Sequence, residues 1–319
     1  MLFLALAVSC SLGIAVLFKV AERRELDRTA LLTVNYAAAA ALAVVLQGAR
    51  RAEAVPPGLI AMGVVQGVLF IAGFWLFSLA IREAGMGLAA GAMRLSVVIP
   101  VLASWVIWGE VPGALQLVGL VLGGAAFVLV ARPATASPAP DPVDASAPPT
   151  ATASGARTAL VLTLLFLCGG GVDTIMKAFG ETYAAAVDAS LFLLFVFGVA
   201  FAVGAAVVLG TGLRTGRWPG REVLALGVVL GLINYASADF ILRAVAVLSG
   251  PVVFPANSVA IVLGAALIGT WVWGERLSRA NLAGLALAAV ALVCLTAEPT
   301  PPENSTEPRP AARVHGPDA

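Results

Sequence analysis

The chain reads as an all-α membrane protein: ten transmembrane helices arranged as two inverted five-helix repeats. Three observations carry this expectation: a composition too apolar for water, ten apolar runs of spanning length, and a sequence repeat between the halves. Of 319 residues, 60% are hydrophobic and 12% charged, whereas soluble domains carry about a quarter charged residues. The mean hydropathy of +0.98 points the same way.

A helix needs about 20 apolar residues to cross a hydrocarbon layer about 30 Å thick. Runs of that kind occur at 2–20, 29–47, 58–80, 87–108 and 114–131, and again at 158–179, 188–209, 222–245, 251–273 and 279–296. The first run, opening MLFLALAVSC, has no basic residue before Leu2 and no small-residue cleavage site. It reads as a membrane helix and not as a secretion signal. Between the two sets of five, residues 133–157 are rich in Pro, Ala, Ser and Thr. Such a segment cannot bury a face and is expected to be a flexible linker. The polar, Pro-rich residues 298–319 are expected to be disordered.

The repeat is read from matches that keep their order. Trp108-Gly109-Glu110 aligns with Trp273-Gly274-Glu275, and the ungapped continuation to Ala131 gives nine identities in 24 positions. Gly63-Val64-Val65-Gln66-Gly67 aligns with Gly227-Val228-Val229-Leu230-Gly231, and Cys10-x-x-Gly13-x5-Lys19 with Cys168-x-x-Gly171-x5-Lys177. The three offsets, 158, 164 and 165, place each block on the equivalent helix of its half. Since five crossings is an odd number, the second copy enters the membrane from the opposite side, as an inverted repeat. Two half-structures of opposite orientation can exchange conformations around a central site, and the repeat therefore favours transport.

Several function classes lose support. A net charge of +1 without a Lys/Arg cluster argues against nucleic acid as a partner. The cysteines Cys10, Cys168 and Cys294 lie in apolar runs, where they act as small hydrophobes, and His315 stands in the polar tail, so no metal site is expected. No Walker P-loop, H-E-x-x-H or G-x-S-x-G occurs, so neither an enzyme nor a resident cofactor is expected. The expected partners are a small-molecule substrate and the lipid bilayer. A non-transporting membrane sensor or scaffold is the alternative reading.

Ionisable groups inside a bilayer are costly and are functional candidates by default. Arg94, Asp173, Asp239 and Arg243 stand well inside their runs. Asp173 with Lys177, and Asp239 with Arg243, are spaced i,i+4, so each acid can meet a base on its own helix face. Both pairs lie late in helices expected to cross in one direction, which permits a charged gate or a proton-accepting carboxylate on that side, or a fixed salt-bridge network. Arg94, early in helix 4, is expected toward the opposite face, where its guanidinium fork suits a substrate carboxylate or phosphate if it faces the cavity, or else pairs with Asp239 or a backbone carbonyl. Lys19 and Lys177, the chain's two lysines, fall at matched positions that inversion sends to opposite faces, as anchors or gates. Asn234, Asn257 and Ser258 offer neutral hydrogen bonds, the last two just after Pro255, as cavity lining or as glue between helices. Trp75 lies mid-helix, where it can stack on a substrate or pack against lipid. Trp105, Trp108, Trp271 and Trp273 lie near helix ends, as interfacial anchors.

With these residues in place, the sequence resembles the drug/metabolite transporter superfamily and, within it, the EamA-type carriers. The resemblance rests on the two five-helix halves, a polar and Pro-containing fourth helix ending in Gly-Glu (RLSVVIPVLASWVIWGE), its second copy (PANSVAIVLGAALIGTWVWGE), and the Gly-containing helices that follow. It makes 1–132 and 158–297 two EamA-like repeats. It implies a secondary transporter of a small metabolite or drug, commonly outward, working by alternating access around a cavity lined by helices 1, 3, 4, 6, 8 and 9, and a place in the bacterial inner membrane. Small multidrug-resistance proteins of the superfamily carry a membrane glutamate eight residues before the first-helix lysine. Ser11 and Gly169 stand at those positions here, a departure from proton-coupled cation efflux. The resemblance implies cytoplasmic termini, whereas the arginines point the other way. Termini inside would leave Arg23, Arg24, Arg28, Arg82, Arg132, Arg157, Arg214, Arg217, Arg221, Arg276 and Arg279 in external loops, against Arg50, Arg51, Arg309 and Arg313 inside.

Overall fold

The computed structural model describes residues 1–48, 55–130, 151–216, 218–274 and 278–297. These form ten helices: α1 (Leu2–Arg23), α2 (Arg28–Gly48), α3 (Pro57–Leu95), α4 (Val98–Trp108), α5 (Ala114–Val130), α6 (Ala151–Thr182), α7 (Ala189–Thr215), α8 (Arg221–Val245), α9 (Gly250–Trp273) and α10 (Arg279–Ala297). Among the described residues nine spans are long and apolar enough to cross a membrane, and Ala114–Val130, with 17 residues, is a shorter apolar tenth. The described residues hold no strand, and the protein is an integral membrane protein.

Helices 3 and 4, expected at 58–80 and 87–108, span Pro57–Gly85 and Leu88–Trp108, divided at Gly85, whose φ of 82° suits a glycine. Within the second span a tighter turn at Ser96–Val97, both residues keeping right-handed helical dihedrals, precedes α4 and is the break referred to below. Pro100 explains the break, because its missing N–H leaves the Ser96 carbonyl to be taken by the Ile99 N–H at 3.0 Å, a tighter turn than the α-helix makes. Helix α6 begins at Ala151, seven residues before the expected Thr158. The remainder of the expected linker, and the tail with His315, lie outside the described residues.

Contacts between helices fix their relative directions. Phe3 stacks with Phe240, Ser11 Oγ lies 3.1 Å from Ser237 Oγ, and Gly13 faces Ile233, so α1 and α8 are antiparallel. Gly58 meets Tyr183, Gln66 Nε2 donates to the Val172 carbonyl at 3.2 Å, and Cys168 Sγ donates to the Leu69 carbonyl at 3.2 Å, making α3 and α6 antiparallel. Thr33 against Gly204 and Gln47 against Ser190 do the same for α2 and α7. Gly119 against Ala291 and Leu295, with Gly284 against Ala126 and Leu129, do so for α5 and α10.

Three pairs are parallel. Gly63 and Gly67 press on Phe195 and Val196 of α7, Gly227 and Gly231 press on Val34 and Asn35 of α2, and Gly169 and Gly170 meet Ser96 and Ile99 at the start of α4. On α9, Gly250 lies at Ser104 and Glu110, while Pro255 and Val259 share an apolar cleft with Leu95, Val97 and Val98, so α9 runs against α4. Taken together, each helix of the first five runs opposite to the helix five places later.

The repeated Gly-Val-Val-x-Gly motif does equivalent work in both halves. It removes side chains where α3 crosses α7 and where α8 crosses α2, letting backbones approach as membrane helices without a hydrophobic driving force require. The core beneath is aromatic and aliphatic, with Phe179 stacked on Phe192 at 4.5 Å and Phe197 between Tyr36, Phe70 and Tyr235.

Candidate functional site

Lys177 is the most buried charge in the described bundle, with 1% of its side chain exposed. The i,i+4 spacing pointed to Asp173 as its partner, and the structure corrects this. Its Nζ donates to Glu110 Oε1 at 2.6 Å and to Glu181 Oε1 at 2.8 Å. Glu181 is the acid one turn later on the same helix, while Glu110 follows the C-cap Gly109 of α4, whose φ of 71° turns the chain back toward the bundle. The second oxygen of Glu110 accepts the Gly250 N–H at 2.8 Å, in the first turn of α9. A carboxylate there satisfies a helix donor that has no partner within the helix and sits favourably against the positive end of the α9 dipole. The ammonium and two carboxylates thus join α4, α6 and α9 in one buried cluster, with ion pairs and hydrogen bonds offsetting the cost of desolvation.

Gly250 also leaves room for the Ser104 side chain. A methyl group at this position would fall on Ser104 Oγ, itself buried and without a hydrogen-bond partner. The C-terminal end of α4 and the N-terminal end of α9 therefore close on each other, with the Ser104 and Glu110 side chains against Gly250.

The matched lysine has other surroundings. Lys19 is 38% exposed and lies 3.8 Å from Glu22. Around it, Arg23 sits over the Trp273 ring, Arg24 pairs with Glu222 at 3.6 Å, and Arg28 pairs with Glu22 at 3.1 Å. Since α1 and α6 run in opposite directions, the two lysines mark opposite ends of the bundle. One end is tied by a buried lysine and the other by half-exposed pairs.

Asp239 and Arg243 do form the expected intrahelical pair, Nε to Oδ2 at 2.6 Å, and Arg243 also lies over the Phe3 ring. Arg243 is half exposed, and the pair makes no contact with Lys177, so no single network joins the acids and bases of α6 and α8. Arg94 was expected at the face opposite Asp173. It lies two residues before Ser96, which meets Gly169 across the α4–α6 seam. Asn234 Nδ2 donates to Asn35 Oδ1 at 3.3 Å, tying α8 to α2. Ser258 is buried on α9, and Asn257 Oδ1 is buried without a hydrogen-bond partner. Trp75 shares an exposed stripe with Val64 and Val68, the pattern of a lipid-facing surface.

Glu110 and Glu181 were not singled out from the sequence. The signal for Glu110 was present, since Trp-Gly-Glu is an uninterrupted match between the halves. Nothing in the sequence alone places it against a lysine 67 residues away.

Residues 1–132 match the EamA-like transporter family model. A protein of Haemophilus influenzae described as uncharacterized is 24% identical over 306 residues, covering 92% of this chain and 96% of its own length. A crystal structure superposes with a TM-score of 0.69 over 92% of this chain and 98% of its own, at 14% identity, a likeness of fold. The family match covers the first half of the chain, up to the end of the fifth helix.

Proposed function

We propose that this chain is a secondary transporter that moves a small metabolite or drug by alternating access between two inverted five-helix halves. The observation that carries the reading is the buried Lys177–Glu110–Gly250 cluster. Glu110 belongs to the first half, and Lys177, Glu181 and Gly250 belong to the second. A rocking movement of one half against the other must break this contact to open that end of the bundle. The unequal surroundings of Lys19 and Lys177 fit one conformer of a two-state cycle, with one end held shut. Inversion is supported by the opposite directions of the equivalent helices and by the exchange of equivalent contacts, α3 with α7 for α8 with α2. A helical bundle suits the bacterial inner membrane, because outer-membrane spanning proteins are closed β-barrels.

Reconstitution tests the reading. Purified protein in liposomes is offered labelled amino acids, hexoses and dicarboxylates, with and without a proton gradient. Saturable flux of at least one class above protein-free liposomes is expected. No flux for any class would leave the sensor or scaffold role in its place.

A further inference from the structure

Charge is divided unequally between the two ends of the bundle. Arg24 reaches Glu222 and Arg157 reaches Glu83, so the C-terminal ends of α1 and α3 and the N-terminal ends of α6 and α8 share one end. Lys19, Arg23 and Arg28 lie there too, around the α1–α2 turn. The remaining helix termini at this end add Arg82, Arg214, Arg221 and Arg279. At the other end the described bases are Lys177 and Arg243, and carboxylates hold both.

The basic end differs in the state of its charges as well as in their number. Among the described residues, Arg82, Arg214, Arg221 and Arg279 are exposed and make neither an ion pair nor a hydrogen bond. Arg221 continues a stripe with exposed Leu224 and Val228, and Arg279 continues one with exposed Leu282. Spacings of three and four residues put each set on one helix face. A lipid-facing stripe that ends in arginine holds the guanidinium at headgroup depth, with its stem along the acyl chains. Trp218, exposed beside Gly212 on the turn between Arg214 and Arg221, adds the aromatic residue common at that depth. Planar guanidinium forks without a protein partner suit phosphate oxygens, which a fork can bind two at a time. Lys and Arg in short connections also set orientation, staying on the cytoplasmic side, where the leaflet surface is negative.

We propose that Arg82, Arg214, Arg221 and Arg279 form a collar that binds the phosphates of anionic phospholipids, and that this collar lies in the cytoplasmic leaflet. The end joined by Lys177, Glu110 and Gly250 then faces outward together with Met1, opposite to the orientation that the family resemblance implies. The closed end is thus the external one. The orientation rests on the inner-membrane placement proposed above, whereas the lipid site does not.

Lipid binding is read on the purified full-length protein in detergent, from the rise in Tm on adding phosphatidylglycerol, phosphatidylcholine or inorganic phosphate. Phosphatidylglycerol is expected to bind more tightly than phosphatidylcholine. Each of Arg82→Gln, Arg214→Gln, Arg221→Gln and Arg279→Gln is expected to weaken it about fivefold, the equivalent of about 1 kcal/mol for one charge near an anionic surface. Equal stabilisation by phosphatidylcholine, or by phosphate alone, overturns the lipid site. Orientation is read in intact cells with a membrane-impermeant maleimide, with Cys10, Cys168 and Cys294 replaced by alanine. Val247→Cys, exposed on the α8–α9 turn at the end opposite the collar, is expected to label in intact cells. Gly220→Cys, in open space at the start of α8, is expected to label only after permeabilisation. The reverse pattern, or equal labelling of both, overturns the orientation. Fractionation of the protein away from the inner membrane overturns that placement instead, and leaves the lipid result standing.

Discussion

Lys177 shows how a residue can be legible in a sequence while its partner is not. Its recurrence opposite Lys19 marked it, and a charge so deep in an apolar run needed a counter-ion. Asp173 and Glu181 are both one turn away, and spacing alone does not choose between them. The choice is made by α4, whose C-terminal Gly-Glu turn delivers Glu110 to the side of α6 that carries Glu181. Removing one member of such a cluster leaves buried charge unbalanced. Lys177→Met is expected to destabilise the protein by about 3–5 kcal/mol, read by denaturant unfolding in detergent. The triple change Lys177→Met, Glu110→Gln, Glu181→Gln should recover most of that loss, because no unpaired charge remains. If the triple variant is as unstable as the single one, charge balance is not what the cluster provides. Asp239 and Arg243 belong to another category: a half-exposed i,i+4 pair contributes a few tenths of a kcal/mol. Asp239→Asn is expected to leave both stability and flux within about twofold, and a larger loss of flux would restore the gating role the sequence suggested for this pair.

At the level of elements, hydropathy located the helices, and the glycine motifs located their crossings. Gly63, Gly67, Gly227 and Gly231 were visible as a repeat, and the structure supplies their use: two equivalent parallel crossings, α3 on α7 and α8 on α2. At Gly67 and Gly231 an added methyl group meets backbone carbonyls, of Val196 and Asn35, which cannot swing aside. Gly67→Ala and Gly231→Ala should each cost about 1–3 kcal/mol through overpacking. Gly198→Ala, where the space is open, should be neutral or gain up to about 1 kcal/mol from helix propensity. Equal effects at all three positions in unfolding experiments would contradict the crossing assignment. The break in helix 4 was less legible. Pro100 was in view, but a run from Gly87 to Trp108 gives no sign of where the chain tightens. That depends on which carbonyl loses its donor and on the close approach of α6 at Gly169.

For the whole molecule, the proposed inversion rests on the odd number of helices per half, which would send equivalent residues to opposite ends. What the sequence did not contain is the state of each end. One end is drawn together by Glu110, Lys177 and the α9 N-terminus, and the other is tied by exposed pairs around Lys19. The same residues in the opposite state would give the same sequence, so only geometry separates them. Alternating access, as proposed, requires the closed end to open during every cycle. Gly250 and Ser104 lie close enough there for a reversible crosslink, the Cβ position of Gly250 falling 3.1 Å from Ser104 Cβ, so that a separation of a few tenths of an ångström brings the pair into the disulfide range of about 3.5–4.5 Å. The decisive measurement is flux through Ser104→Cys/Gly250→Cys protein in liposomes, with Cys10, Cys168 and Cys294 replaced by alanine and the solute taken from the reconstitution screen. Oxidation is expected to abolish flux and reduction to restore it, with each single-cysteine protein indifferent to both. Undiminished flux through fully crosslinked protein would contradict the proposal that this end is a gate.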